Sequence, residues 1–191
     1  MTRIVDHGAV VGAYVGIGMA VTIAISFLLV IPIEPLVWYL TLPAGLLIGY
    51  YANQRSERRR GPWGRIVVNG LFAGAVTGLT LAVLLLAVKA LFFAADNGYR
   101  DASAGGALGC EVGADCVYQR YLAEGRGAEL EAQGVREVES FSAFYWSQQL
   151  ATAGVLLGLG ALGGAGGALL YGAFGRKEGP GDQSEARAPA Q

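Results

Sequence analysis

The chain has 191 residues, 53% hydrophobic and only 15% charged, with 14 Lys and Arg balancing 15 Asp and Glu to a formal net charge of −1. A chain this apolar, whose charges avoid long stretches, has the composition of an integral membrane protein and not of a soluble domain. Its one basic cluster is short and enclosed by apolar sequence, which excludes nucleic acid as a partner.

In chain order, the tail 1–8 carries too little positive charge for a secretory leader, and no small-residue cleavage site follows the apolar run. The first span is therefore expected to be retained. It covers 9–31, long enough at 1.5 Å per residue to cross about 30 Å of hydrocarbon. Pro32, Glu34 and Pro35 then impose a tight turn. A second span over 36–52 is barely long enough and contains Pro43, which predicts a kink whose freed carbonyl must be satisfied by burial. Trp38 and Tyr39 at one end and Tyr50 and Tyr51 at the other suit the two membrane interfaces.

The connector 53–65 reads NQRSERRRGPWGR and sets Arg55, Arg58, Arg59, Arg60 and Arg65 against the single acid Glu57. Five guanidinium groups between apolar segments resist translocation, so this connector is expected to stay in the cytoplasm and fix the topology. A third span over 66–95 is longer than a bilayer needs and predicts tilt or projection, with Lys89 snorkelling near its end. A loop over 96–142 carries nine acids against four arginines and is expected on the extracytoplasmic side; a fourth span over 143–174 returns. The tail 175–191 is rich in Gly, Pro, Ala and charge and is expected to be disordered. The predicted fold is thus an all-α integral membrane protein of the cytoplasmic (inner) membrane. Four transmembrane helices form two hairpins with a small helical extracytoplasmic loop, and both termini are cytoplasmic. Setting Gly12 on Gly70 aligns Gly16 with Gly74 and Ala20 with Gly78, and LLIGYYA aligns with LLYGAFG, which points to a parallel 2+2 repeat.

Small residues recur every fourth position: Gly8, Gly12, Gly16, Ala20 and Ala24 in the first span, and Gly70, Gly74, Gly78 and Ala82 in the third. That spacing opens a shallow groove on one helix face, where a second backbone can approach closely. Gly45 and Gly49 offer the same in the second span. The fourth carries glycine on nearly every face, with Gly154 and Gly158 among the expected packing positions. Packing inside one bundle is the first use of such faces. A face left over would receive a second copy or another membrane protein.

Cys110 and Cys116, the only cysteines, lie in the string CEVGADC, and an oxidising compartment would close them into a disulfide. A metal site is not expected, because the only histidine, His7, is predicted across the membrane from the cysteines. Within 117–141, Tyr118, Tyr121 and Leu122 share a helix face and Val135, Val138 and Phe141 recur at about one turn, interrupted by Gly125, Gly127 and Gly134. Such short helices would cap the bundle. The polar residues expected within the spans are few: Asn69 deep in the third, Gln148 and Gln149 near the end of the fourth, and several Ser and Thr that can bond their own backbone. No carboxylate lies deep in a span, no nucleophile has a base beside it, and no glycine loop sits between strand and helix, so no catalytic residue and no cofactor is expected.

A cysteine pair between the third and fourth spans resembles, in topology, the quinone-linked disulfide-forming membrane oxidoreductases. Those need a second pair in the first outer loop, where 33–35 has no cysteine. A short first outer turn and a large second loop with a disulfide also look like the layout of tetraspanins, without their paired-cysteine-glycine signature. The functional expectation is a non-enzymatic scaffold or accessory subunit surrounded by membrane lipid. A small transporter or channel is the alternative, and a thiol–disulfide oxidoreductase the second alternative.

Overall fold

The computed structural model describes residues 5–29, 34–56, 62–97 and 109–175. Regular structure among them is helical: α1 (His7–Leu29), α2 (Glu34–Gln54), α3 (Trp63–Ala95), α4 (Ala114–Ala123), α5 (Gly127–Ala132) and α6 (Val138–Phe174). Among the described residues three helices are long and apolar enough to cross a membrane: α1 over His7–Ser26, α3 and α6. The second expected span, now α2, is not among them. It is 21 residues long and holds Glu34, Thr41, Pro43, Asn53 and Gln54, which dilute its apolar content. The helix runs on through Pro43.

The helices start two to five residues before the expected spans. At α6 the shift is five residues, from 143 to Val138, because Glu137 donates its backbone N–H to Ser140 Oγ (3.2 Å) and starts the helix early. Arg58, Arg59 and Arg60 of the connector, the tail 176–191 and residues 1–4 lie outside the described residues.

Helices α2 and α3 run side by side, with α1 packed on one side of the pair and α6 on the other; α3 with α6 and α2 with α6 are the two most extensive contacts. The cause is the absence of side chains. A methyl group placed on Gly45 would lie 2.7 Å from the Gly160 carbonyl oxygen, and one on Gly163 2.6 Å from that of Leu42. On the α3 side, a methyl on Gly160 would lie 2.7 Å from the Gly74 carbonyl oxygen, and Gly70 and Gly164 meet in the same way. At such separations backbone meets backbone, and the gain is dispersion over the whole contact. On the other side, Gly12 receives Ala52, and Gly16 receives Thr77 and Ile48.

Two expectations are corrected by this register. Gly154 and Gly158 are not packing positions within this chain: a methyl group on either would meet nothing within 4 Å. The face of α6 that enters the contact is instead Gly160, Gly163, Gly164 and Gly167, which lie one and two turns along and so share a helix face. The hairpin repeat does not carry over to packing either. Gly12 meets Ala52, whereas its aligned counterpart Gly70 meets Gly164 and Ala168, about two turns from Gly175, the counterpart of Ala52.

With small residues inside, large aliphatic and aromatic ones are left outside. Leu162 is 67% exposed one residue away from buried Gly163, and Tyr14, Val15, Ile25, Leu47, Leu79 and Val83 also face outward. A helix set this apolar on its outer surface suits a lipid surrounding.

The contrast between the two kinds of glycine gives a direct test. Gly164→Ala is expected to lower stability by about 1–3 kcal/mol or prevent folding, since the obstructing atoms are backbone and cannot rotate away. Gly158→Ala is expected to be neutral or stabilising by up to about 1 kcal/mol. Thermal unfolding of both variants in mild detergent measures the difference.

Candidate functional site

At one end of the molecule α4, α5 and the first turns of α6 form a cap. Their hydrophobic cluster joins Val117, Leu130 and Val135 to Phe141 and Tyr145, with Phe93, Tyr118 and Tyr121 packed against it. Tyr121 meets the Phe141 ring edge-on at 5.1 Å between centroids. Just beyond α4 lies Gly125 (φ 79°) and just beyond α5 Gly134 (φ 75°), left-handed positions that favour glycine. Each end closes in the same two-bond pattern. Arg126 N–H donates to Tyr121 O and Gly125 N–H to Leu122 O; Val135 N–H donates to Leu130 O and Gly134 N–H to Glu131 O. Leu122, which shares a helix face with the tyrosines, is exposed.

The cap is fastened to the end of α3 by a short set of bonds. Gly113 N–H donates to Asp96 O (2.7 Å) and the Arg120 guanidinium pairs with the Asp96 carboxylate (2.9 Å); within the cap itself, Cys110 and Cys116 are joined by a disulfide (S–S 2.02 Å). At the α4–α5 turn Arg126 lies 4.1 Å over the Tyr121 ring and donates to both oxygens of Glu129 (3.0 and 3.2 Å). The hydrogen bonds from Arg126, and then its charge, hold the Glu129 carboxyl below the ordinary glutamate value; the same bonds raise Arg126.

Beneath the cap, α2, α3 and α6 border a half-open cavity of ≈ 120 Å³. Its apolar wall includes Val37, Ala82, Leu85 and Leu156; Lys89, Gln148, Gln149 and Thr152 line it as well, with Trp38 and, from α4, Tyr121. The expected polar pair Gln148 and Gln149 thus shares one site with Lys89, which the sequence reading assigned to snorkelling. The pattern was legible: 82, 85, 86 and 89 on α3, and 149, 152, 153 and 156 on α6, each follow i, i+3, i+4, i+7.

Asn69 lies at the opposite end, where Arg55 and Arg65 also sit, among side chains that tie three helix ends together. Asp6 begins α1, its carboxylate accepting from Ala9 N–H (3.1 Å) and from Ser56 Oγ, while its backbone N–H reaches Asn69 Oδ1 (3.4 Å). Asn53 is 1% exposed; its amide donates to Gly49 O and Ile66 O, both at 3.0 Å, so α2 holds α3 directly. The roles of Asp6, Ser56 and Asn53 were not read from sequence, because none stands out until the helix ends meet. Arg55, exposed, donates from Nε to Tyr51 OH (3.1 Å). Thr22, Thr41, Thr77 and Thr80 each bond the carbonyl four residues earlier in their own helix. These four threonines therefore use their hydroxyls locally, and Asn69 and Gln148/Gln149 belong to separate sites.

Among the described residues no group of three or more His, Cys, Asp and Glu is placed to hold a metal ion. Comparison with known proteins gives no match: no family model, curated protein or solved structure aligns with the chain.

Two outcomes follow from these sites. Asn53→Leu should cost about 1–3 kcal/mol, since it strips donors from two carbonyls at a buried position, whereas exposed Gln148→Leu should stay within about 0.5 kcal/mol; thermal unfolding in detergent compares them. In an NMR pH titration the Glu129 carboxyl should titrate below free glutamate and return to the ordinary value in Arg126→Ala. The pair's contribution to stability is complete above the ordinary value and is lost as pH falls through the lowered one.

Proposed function

We propose that the chain is a non-enzymatic scaffold or accessory subunit of a cytoplasmic membrane, crossing it four times with both termini in the cytoplasm, and associating with another membrane protein or with its own copies. The observation that carries this reading is how α6 closes against α2 and α3. Between the cavity and the Asn53/Asn69 end, glycine backbones at 45, 49, 70, 74, 160 and 164 approach too closely to leave a path between those helices. A carrier or channel needs polar groups along a continuous route. Here, apart from threonines bonded to their own helix backbone, the polar side chains gather at the two ends.

Four crossings are supported by the position of α2. Its 21 residues extend about 31 Å, enough for a bilayer, and it lies between helices that are themselves long and apolar enough to span. If α1 and α3 cross, the helix packed against both crosses with them, its polar ends at Trp38 and Asn53 lying at opposite surfaces. Orientation rests on the arginine connector at one end and the acidic, disulfide-bearing loop at the other.

The test uses native membranes. An impermeant thiol reagent applied to intact, reduced cells should label Cys110 and Cys116, while a cysteine placed at position 58 should stay protected; the opposite result inverts the topology. Crosslinking in the same membranes should capture a membrane partner or a homo-oligomer. A chain recovered only as a monomer, with solute flux in proteoliposomes, would replace the scaffold by a carrier.

A further inference from the structure

The last turn of α3 is closed from another part of the chain. Gly113 N–H donates to Asp96 O (2.7 Å), and a methyl group on Gly113 would lie 3.7 Å from the Phe93 carbonyl oxygen and 3.8 Å from that of Ala94. Carbonyls at a helix C-terminus lack intrahelical partners, so an N–H brought to them from a distant residue acts as a cap. Gly113 reaches this place with φ 104°, a backbone conformation that favours glycine. In an open chain glycine is also the residue with the most freedom to leave it.

That freedom is removed by a ring. Cys110 and Cys116 close a loop with a sequence separation of 6, and Gly113 stands at its midpoint. Within it Cys116 N–H donates to Glu111 O (3.2 Å) and Glu111 N–H to Asp115 Oδ2 (3.0 Å). Cys116, in the first turn of α4, is 0% exposed and adjoins Val117 of the cap core, whereas Cys110 is partly exposed. The contact between α4 and α3 is slight beside that between α3 and α6, so the ring and the Arg120–Asp96 pair carry much of it.

We propose that the Cys110–Cys116 disulfide is a redox-controlled latch that keeps α4 docked on the end of α3. The chemical partner is a dithiol reductant. One of its thiolates attacks the partly exposed Cys110 sulfur, the Cys110–Cys116 bond breaks, and Cys116 leaves as a thiolate that takes up a proton. The second thiol of the reductant then displaces Cys110, so that the reductant becomes the disulfide and two electrons and two protons end on the cysteines. With the ring open, docking must bear the entropy of ordering Gly113, and α4 leaves the end of α3. The glycine contacts of α6 with α2 and α3 involve no cap residue and stay closed. This latch stands on the bonds within the cap and does not rest on the scaffold reading.

The test uses the full chain purified in a neutral maltoside detergent, with hydrogen–deuterium exchange read by peptide mass spectrometry before and after dithiothreitol. In the reduced protein the amides of 113–123 are expected to exchange about fiftyfold faster, the effect of releasing a ring this small, while those of 70–82 and 156–167 keep their rates. The double variant Cys110→Ser, Cys116→Ser should exchange like the reduced protein and show no response to dithiothreitol. Gly113→Ala, which disfavours φ 104°, should open the same segment with the disulfide intact. If the double variant does not fold, reduction of the native chain still decides. Unchanged rates at 113–123 after reduction overturn the proposal, as does a disulfide that dithiothreitol leaves intact in the folded chain. An equal rise over 70–82 and 156–167 also overturns it, because the bond would then staple the whole fold.

Discussion

The fold depends on how closely two helices can approach when one presents no side chains. Along α6, four glycines face α2 and α3, and along those helices further glycines receive them, so carbonyl oxygens of one helix lie where a side chain of the next would otherwise stand. In water this would be an inefficient way to stabilise a protein, since little apolar area is removed from solvent. In hydrocarbon burial brings little, and the dispersion gained by fitting surfaces together is what distinguishes one arrangement from another. The large aliphatic side chains are correspondingly free to face outward.

Close approach through the middle of the molecule leaves its polar groups, apart from threonines bonded to their own helices, at the two ends, and each end is closed by a different device. At the arginine end, side chains at helix termini do the work: Asp6, Ser56, Asn53 and Asn69 connect α1, α2 and α3 where backbone groups would otherwise lack partners. At the other end a separate small core around Phe141 sits on the end of α3, held there by the Asp96 bonds. The cavity lies between this cap and the last glycine contact, at Gly78 and Gly160, where the helix faces become Leu85, Lys89, Gln149 and Thr152 and no longer match backbone to backbone.

The helices, their approximate limits and the disulfide pair were legible in the sequence because each is a local property. Hydropathy over 20 residues marks an apolar helix, and a five-residue spacer permits ring closure. The interior use of Gly70, Gly74 and Gly78 was legible from a four-residue spacing that occurs on only one face of α3. On α6 the spacing fails as a guide, since glycine occurs on nearly every side and Gly154 and Gly158 fit the pattern as well as Gly160 and Gly164 do. Asn69 was legible as a polar residue within an apolar run, but its partner, the backbone of Asp6, lies 63 residues away.

Composition and periodicity by themselves determined that this chain is helical, apolar and built around small residues, because those features follow from which side chains stand within a few turns of one another. Only the tertiary structure decided which face of α6 turns inward, which polar residues share a site and where a cavity remains. Those outcomes depend on the rotation and axial offset of each helix against its neighbours. These are set by the summed fit of all the facing surfaces and have no counterpart in the spacing along any one segment.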